Sequence, residues 1–232
     1  MARVYRNMFG ISGKLGDKIY RIMNGKTFVT RRPESYKIPM DQASIERRTK
    51  FSICQKMSHA VNSIPSLKLT WRKYYKKGAL SAKIFSSNYS RITLSSVDRF
   101  ELVPRYNFIA KLKSMNADLS FIRTVFQPLG TGSEIWDQEE NQVALYGVLT
   151  LMNELTDIKL KYLVTPLASL FQKTSLEAEL EFELQVPAVI ADNIKNFTSV
   201  YLHLVMVTVN IEGMPVKNSN TIYQQISLQA AP

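Results

Sequence analysis

Between Leu176 and Val186 every second residue is apolar: Leu176, Ala178, Leu180, Phe182, Leu184 and Val186 alternate with Glu177, Glu179, Glu181, Glu183 and Gln185. A period of two fits a β-strand, whose successive side chains point to opposite faces, and does not fit a helix. One face of such a strand is buried and the other meets water or a basic partner. The same period governs the chain from about residue 96 onward. It predicts strands over 96–103, 107–115, 118–127, 143–152, 158–165, 176–186, 199–211 and 220–229, separated by Asn, Gly, Pro and Asp signals. Val200 to Val209 is apolar on both faces, which places it centrally. About eight strands in roughly 130 residues predict a mainly antiparallel β-sandwich, immunoglobulin-like or jelly-roll-like, over 96–232.

Upstream of residue 96 the pattern differs. Residues 18–32 form two β-prone runs around Asn24-Gly25, a dipeptide that tolerates the positive φ angles of a tight turn, and they predict a hairpin. Alternation along it sets Tyr20, Ile22, Phe28 and Thr30 against Ile19, Arg21, Val29 and Arg31, leaving one face more basic. After Pro33 and Pro39 a helix is predicted from near Asp41 to about Ser63, with Ile45, Phe51, Ile53, Cys54, Met57, Ala60, Val61 and Ile64 on one broad side. Ser66 is placed to cap a second helix carrying Leu67, Trp71, Tyr74 and Tyr75, with Gly78 as its stop, and a third is predicted around Leu80, Ile84, Phe85 and Tyr89. The class expected is α+β: a basic hairpin-and-helix module over 1–95, then the β-domain.

Charge follows the same division. Of 30 Lys and Arg against 19 Asp and Glu, residues 1–99 hold 21 against 5, and residues 100–232 hold 9 against 14. A basic half of this kind suits a polyanion, because each cation near a phosphate releases a condensed counterion. It equally suits acidic protein, or water alone. The candidate contact residues are Arg47, Arg48, Lys68, Arg72, Lys73, Lys76 and Lys77. Among them Trp71 and Tyr74 could stack on bases, although the same spacing also makes them the buried stripe of a helix. Glu177, Glu179, Glu181 and Glu183 form a candidate partner-facing acidic strand, able to meet the basic half of another copy.

Signs of catalysis or cofactor binding are few. Cys54 is the only cysteine, so no internal disulfide or thiolate cluster can form. His59 and His203 lie far apart, neither with a second ligand at metal spacing. Gly10-x-x-Gly13-Lys14-x-Gly16 is two residues too short for a phosphate loop and continues with Leu15, so its glycines are read as permitting tight turns. The acidic run Glu134 to Glu140 matches no calcium loop and reads as a solvated loop. No secretion signal or membrane span is visible. The expectation is no catalytic residue, no cofactor and no metal.

The segment Gly10-Ile-Ser-Gly13-Lys14-Leu-Gly16, followed by Gly25, Arg32-Pro33, Pro39, Arg48 and Phe51, resembles a family of uncharacterised Bacteroidetes and phage-associated proteins. That family opens on Gly-Phe-Ser-Gly-Lys-Val-Gly and continues through a Lys-Gly hairpin and Arg-x-x-Pro to a Gln-rich helix. Asn24 stands where Lys is common, and Ile45 interrupts the helix start. The resemblance implies a shared N-terminal module and a host range, with no catalytic residues. Together these readings predict a non-enzymatic structural protein, a component of a phage virion or other assembly. Its partners would be other copies or subunits, with possible DNA or RNA contact and no membrane, in a virion or the cytoplasm. The alternative is a stand-alone nucleic acid-binding protein.

Overall fold

A computed structural model describes residues 5–7, 10–15, 17–23, 26–31, 41–93, 96–118, 120–129, 140–153, 162–170 and 178–226. The chain divides into two compact units, Met1–Asp41 and Gln42–Pro232. In the first, β1 (Tyr5–Asn7), β2 (Gly10–Leu15), β3 (Lys18–Met23) and β4 (Lys26–Arg31) form an antiparallel sheet in the order β1-β2-β3-β4. Gly10–Leu15 is therefore a strand, where turns were expected. Met23 lies opposite Lys26, while the Asn24-Gly25 turn itself falls outside the described residues. A two-residue connection reverses the parity between its strands. Arg21 consequently faces Phe28, and Tyr20 faces Val29, which regroups the two faces that alternation alone suggested.

The second unit starts with α1 (Gln42–Ser63), α2 (Pro65–Tyr74) and α3 (Leu80–Asn88). Strands β5 (Leu112–Ala117), β6 (Phe121–Phe126), β7 (Glu140–Met152), β8 (Tyr162–Ala168) and β9 (Leu180–Gln185) follow. After a short α4 (Ala188–Asn193) come β10 (Ser199–Asn210), β11 (Pro215–Asn218) and β12 (Ile222–Ile226). The class is α+β with antiparallel sheets. A five-stranded sheet runs β11-β10-β7-β8, with β12 also paired to β10, and a three-stranded sheet runs β5-β6-β9. The pair β7–β10 is the spine of the unit, in register from Ser199 opposite Met152 to Val209 opposite Gln142.

Both faces of that spine are buried, as the two-sided apolarity of Val200 to Val209 demands. Tyr146, Val148, Tyr201, Val205 and Val207 point to the helices and pack with Ile53, Met57, Val61, Leu67, Trp71 and Ile84. Leu145, Leu149, Leu202, Leu204 and Met206 point the other way, against Ile122, Phe126, Leu180, Phe182 and Leu184 of the smaller sheet. Three layers result, with the spine in the middle. The break expected near residue 96 falls inside the second unit and would cut the first of these cores, which holds residues from both sides of it. Gly147 marks where β10 comes closest: a Cβ there would lie 3.0 Å from Leu204 Cδ2 and 3.1 Å from the His203 carbonyl oxygen.

Two local expectations are corrected. Residues 96–103 form no strand. Their apolar residues Val97, Phe100, Leu102 and Val103 are buried, but the backbone bonds to side chains: Trp71 Nε1 donates to the Leu102 carbonyl at 2.8 Å, and the Leu102 amide donates to Thr221 Oγ1 at 2.9 Å. An alternating pattern was thus satisfied by packing and by side-chain donors instead of a ladder. Ser66 does not cap α2 either. Ile64 occupies the cap with Pro65 in the first turn, and Ser66 Oγ shares a 2.8 Å hydrogen bond with Tyr146 Oη, pinning α2 to β7. Among the described residues no helix is long and apolar enough to cross a membrane.

Candidate functional site

At the C-terminal end of α2 the chain gathers cations and aromatic rings. The buried stripe is Leu67 and Trp71, at 0% and 1% exposure, whereas Tyr74 is 43% exposed. Arg105 places its guanidinium 5.7 Å from the centre of the Tyr74 ring, and Tyr106 beside it is 58% exposed. Lys76 and Lys77 are exposed on the segment leading to Gly78, whose φ of +90° suits glycine. The loop carrying Arg105 is held in place from β11: Asn218 Nδ2 donates to the Arg105 carbonyl at 2.7 Å, and the Asn107 amide donates to the Asn218 carbonyl at 2.8 Å. Arg105 and Tyr106 were absent from the sequence reading. They lie about 30 residues downstream, in a run that carried only a weak strand pattern, and the only usable signal was their cation–aromatic adjacency.

Not every predicted cation serves this surface. Lys73, although exposed, is tied back to the protein, its Nζ donating to the carbonyls of Pro215 at 2.7 Å and Val216 at 3.1 Å, so it links α2 to the start of β11. Arg72 donates to the Gly78 carbonyl at 3.1 Å, closing the loop after the helix, where a cation also suits the negative end of the helix dipole. Lys68 is exposed further up α2. Arg47 and Arg48 are exposed near the start of α1, where Arg47 bonds its own helix at the Ala43 carbonyl and Ser44 Oγ. With Glu46, Lys50 and Thr93 it lines an open groove of about 550 Å³.

The structure does not bring the two cationic groups together. Ser52 of α1 bonds Tyr162, which pairs with Met152 at one end of β7, while Lys73 reaches Pro215, which lies beyond Val209 opposite Gln142. Gln142 and Met152 are separated by roughly 33 Å at about 3.3 Å per strand residue. Arg47 and Arg48 thus sit at the opposite end of the sheet from the α2 surface.

The acidic strand is also organised from within. Leu180, Phe182 and Leu184 are buried and Glu181 and Glu183 exposed, as the alternation requires. Arg123, directly opposite Glu183 on β6, pairs with it at 3.1 Å, and Lys113 of β5 pairs with Glu179. Glu177 lies outside the described residues. Each exposed pair contributes little stability, but together they offset the charge that a basic partner would need to find. Glu140, read as part of a loop, is the first residue of β7; it is buried and meets Lys217 at 3.5 Å.

The remaining reactive groups are built into the core. His203 is fully buried, and its Nε2–H donates to the Val97 carbonyl at 2.7 Å. Burial, only partly countered by that bond and by Asp98, lowers its pKa to about 4, so the ring is neutral. Cys54 is buried beside Phe85, and burial pushes its thiol up to about 11, far from a reactive thiolate. Among the described residues no group of three or more His, Cys, Asp or Glu side chains is placed to hold a metal ion. No model of a known protein family matches this chain, and no curated protein matches it either.

Proposed function

We propose that this chain is a non-enzymatic interaction protein whose surface at the end of α2, formed by Tyr74, Lys76, Lys77, Arg105 and Tyr106, binds nucleic acid. The observation that carries the reading is the pairing of an exposed, cation-flanked aromatic surface with an acidic strand in which Glu179 and Glu183 already meet Lys113 and Arg123. A basic surface seeking the Glu179 to Glu183 face of another copy would have to displace those cations, whereas phosphate meets Lys76, Lys77 and Arg105 directly. Tyr106 offers a face on which an unpaired base can stack. The fold in this reading is a β-sandwich backed by helices. The resemblance over Gly10 to Phe51 supports a setting in a phage virion or another assembly.

The test is retention of duplex and single-stranded oligonucleotides across a salt series. Replacing Lys76, Lys77 and Arg105 with Gln lowers the slope of log affinity against log salt by roughly 0.9 for each lost duplex phosphate contact. Tyr106→Ala weakens the single strand more than the duplex. No retention at low salt, or an unchanged slope in the triple variant, removes this surface from consideration.

A further inference from the structure

Among the described residues, strand β4 is bonded along one edge only, where it pairs with β3. All six of its residues are exposed. Phe28 and Val29, neighbours that point to opposite faces, are 49% and 52% exposed, so neither face of the strand is covered. Sheet edges are ordinarily protected by a charge, a proline or a bulge in mid-strand. Here Thr27-Phe28-Val29-Thr30 has neither charge nor proline, and the register with β3 is unbroken from Lys18 opposite Arg31 to Met23 opposite Lys26.

We infer that β4 pairs edge to edge with β4 of a second copy of this chain, joining two four-stranded sheets into one across a two-fold axis. In an antiparallel pair, residues that bond outward alternate, so opposed residues of two identical strands must differ by an even number of positions. Two central registers remain. Centred on Phe28, the pairing sets Phe28 against Phe28, Thr27 against Val29 and Lys26 against Thr30. Centred on Val29, it sets Val29 against Val29, Phe28 against Thr30 and Thr27 against Arg31. Centred on Phe28, Lys26 faces the uncharged Thr30; centred on Val29, Arg31 faces Thr27 but Lys26 comes opposite Arg32, a like-charge pair that disfavours this register, and Arg31 is partly matched within its own sheet by Asp17 at 3.6 Å. The apolar middle of the strand becomes the seam, where aromatic and β-branched partners stabilise one another.

This pairing is independent of the contact at α2, and the two respond to salt in opposite ways. The net charge of +11 repels a second copy, so self-association strengthens as salt rises, whereas phosphate contact weakens. Sedimentation of the full chain at low and at high salt reads this directly. The expected result is a concentration-dependent dimer that tightens with salt and is weakened at least ten-fold, on the order of 1.4 kcal/mol, by Val29→Lys. Single-cysteine variants make the test independent of that substitution. Phe28→Cys or Val29→Cys gives a disulfide-linked dimer on mild oxidation according to the register, with buried Cys54 as the silent background. A chain that stays monomeric at all salts, with neither variant cross-linking, overturns the inference. So does association that persists unchanged in Val29→Lys without cross-linking. Loss of oligonucleotide retention in Phe28→Ala, with no change in mass, assigns the strand to nucleic acid instead.

Discussion

Lys73 and Pro215 are joined by a 2.7 Å hydrogen bond from the ammonium of one to the carbonyl of the other, across 142 residues of chain. The bond stands where α2 ends and the short β11 begins, and it separates one lysine of a basic cluster from its neighbours. Lys73→Met is expected to lower stability by about 1 kcal/mol, less than the roughly 1.5–3 kcal/mol of a charged hydrogen bond because the side chain is exposed. Lys76→Gln and Lys77→Gln should each stay within about 0.5 kcal/mol of the parent, as exposed positions do. Urea denaturation of the three variants reads the difference, and equal midpoints would mean that the Lys73 contact contributes nothing.

His203 predicts a pH dependence. Its ordinary pKa of 6.5 holds in the unfolded chain and falls to about 4 in the folded one. The unfolded state therefore binds the proton first, so this contribution to stability is complete above about pH 6.5 and is lost as pH falls toward 4. For so buried a group the loss is on the order of 3 kcal/mol. His203→Gln keeps a donor for the Val97 carbonyl and should flatten the stability profile in that window relative to the parent. An identical slope would place the acid sensitivity elsewhere.

The close approach at Gly147 leaves no room for a branched side chain. Gly147→Val is expected to cost about 2–3 kcal/mol, as overpacking between β7 and β10 does, with Gly147→Ala intermediate. The cost appears as a lower thermal midpoint without change in the slope of urea unfolding. A neutral Gly147→Val would show that Leu204 yields more easily than its two-sided burial implies.

Fragments locate the core. A chain beginning near Thr93 lacks α1–α3 and bares Tyr146, Val148, Tyr201, Val205 and Val207 on one face of the spine. It should aggregate or lose cooperative unfolding, whereas a chain beginning at Gln42 should retain both helices and sheets by circular dichroism. A soluble, cooperatively folded 93–232 fragment would mean that the smaller core suffices alone.

How much of this was legible depended on whether the signal was local. The alternation from Leu180 to Gln185 marked β9 and its buried face, and the two-sided apolarity of Val200 to Val209 marked the central strand. Helix spacing located α1–α3 because each carries a contiguous apolar side. Residues 96–103 misled because Phe100 and Leu102 alternate with Arg99 and Glu101 like strand residues, while the backbone partners of Leu102 are Trp71 and Thr221, distant in sequence. β11 was missed because four residues carry no period, and its existence rests on β10 and on Lys73. The candidate site was half legible: Tyr74, Lys76 and Lys77 lie in one run, but Arg105 and Tyr106 join them only through Asn218.

The two-faced spine also sets the order in which the molecule can be completed. Helices α1–α3 leave the ribosome well before β7 and β10, the strands whose Tyr146, Val148, Tyr201 and Val205 share a core with Met57, Leu67, Trp71 and Ile84. β10 begins more than a hundred residues after α3 ends, a delay of roughly 5–20 seconds at ordinary synthesis rates. Throughout that interval the apolar sides of the helices face solvent or each other. Completion of the first core therefore waits on synthesis of the segment between α3 and β10, whichever local elements form earlier.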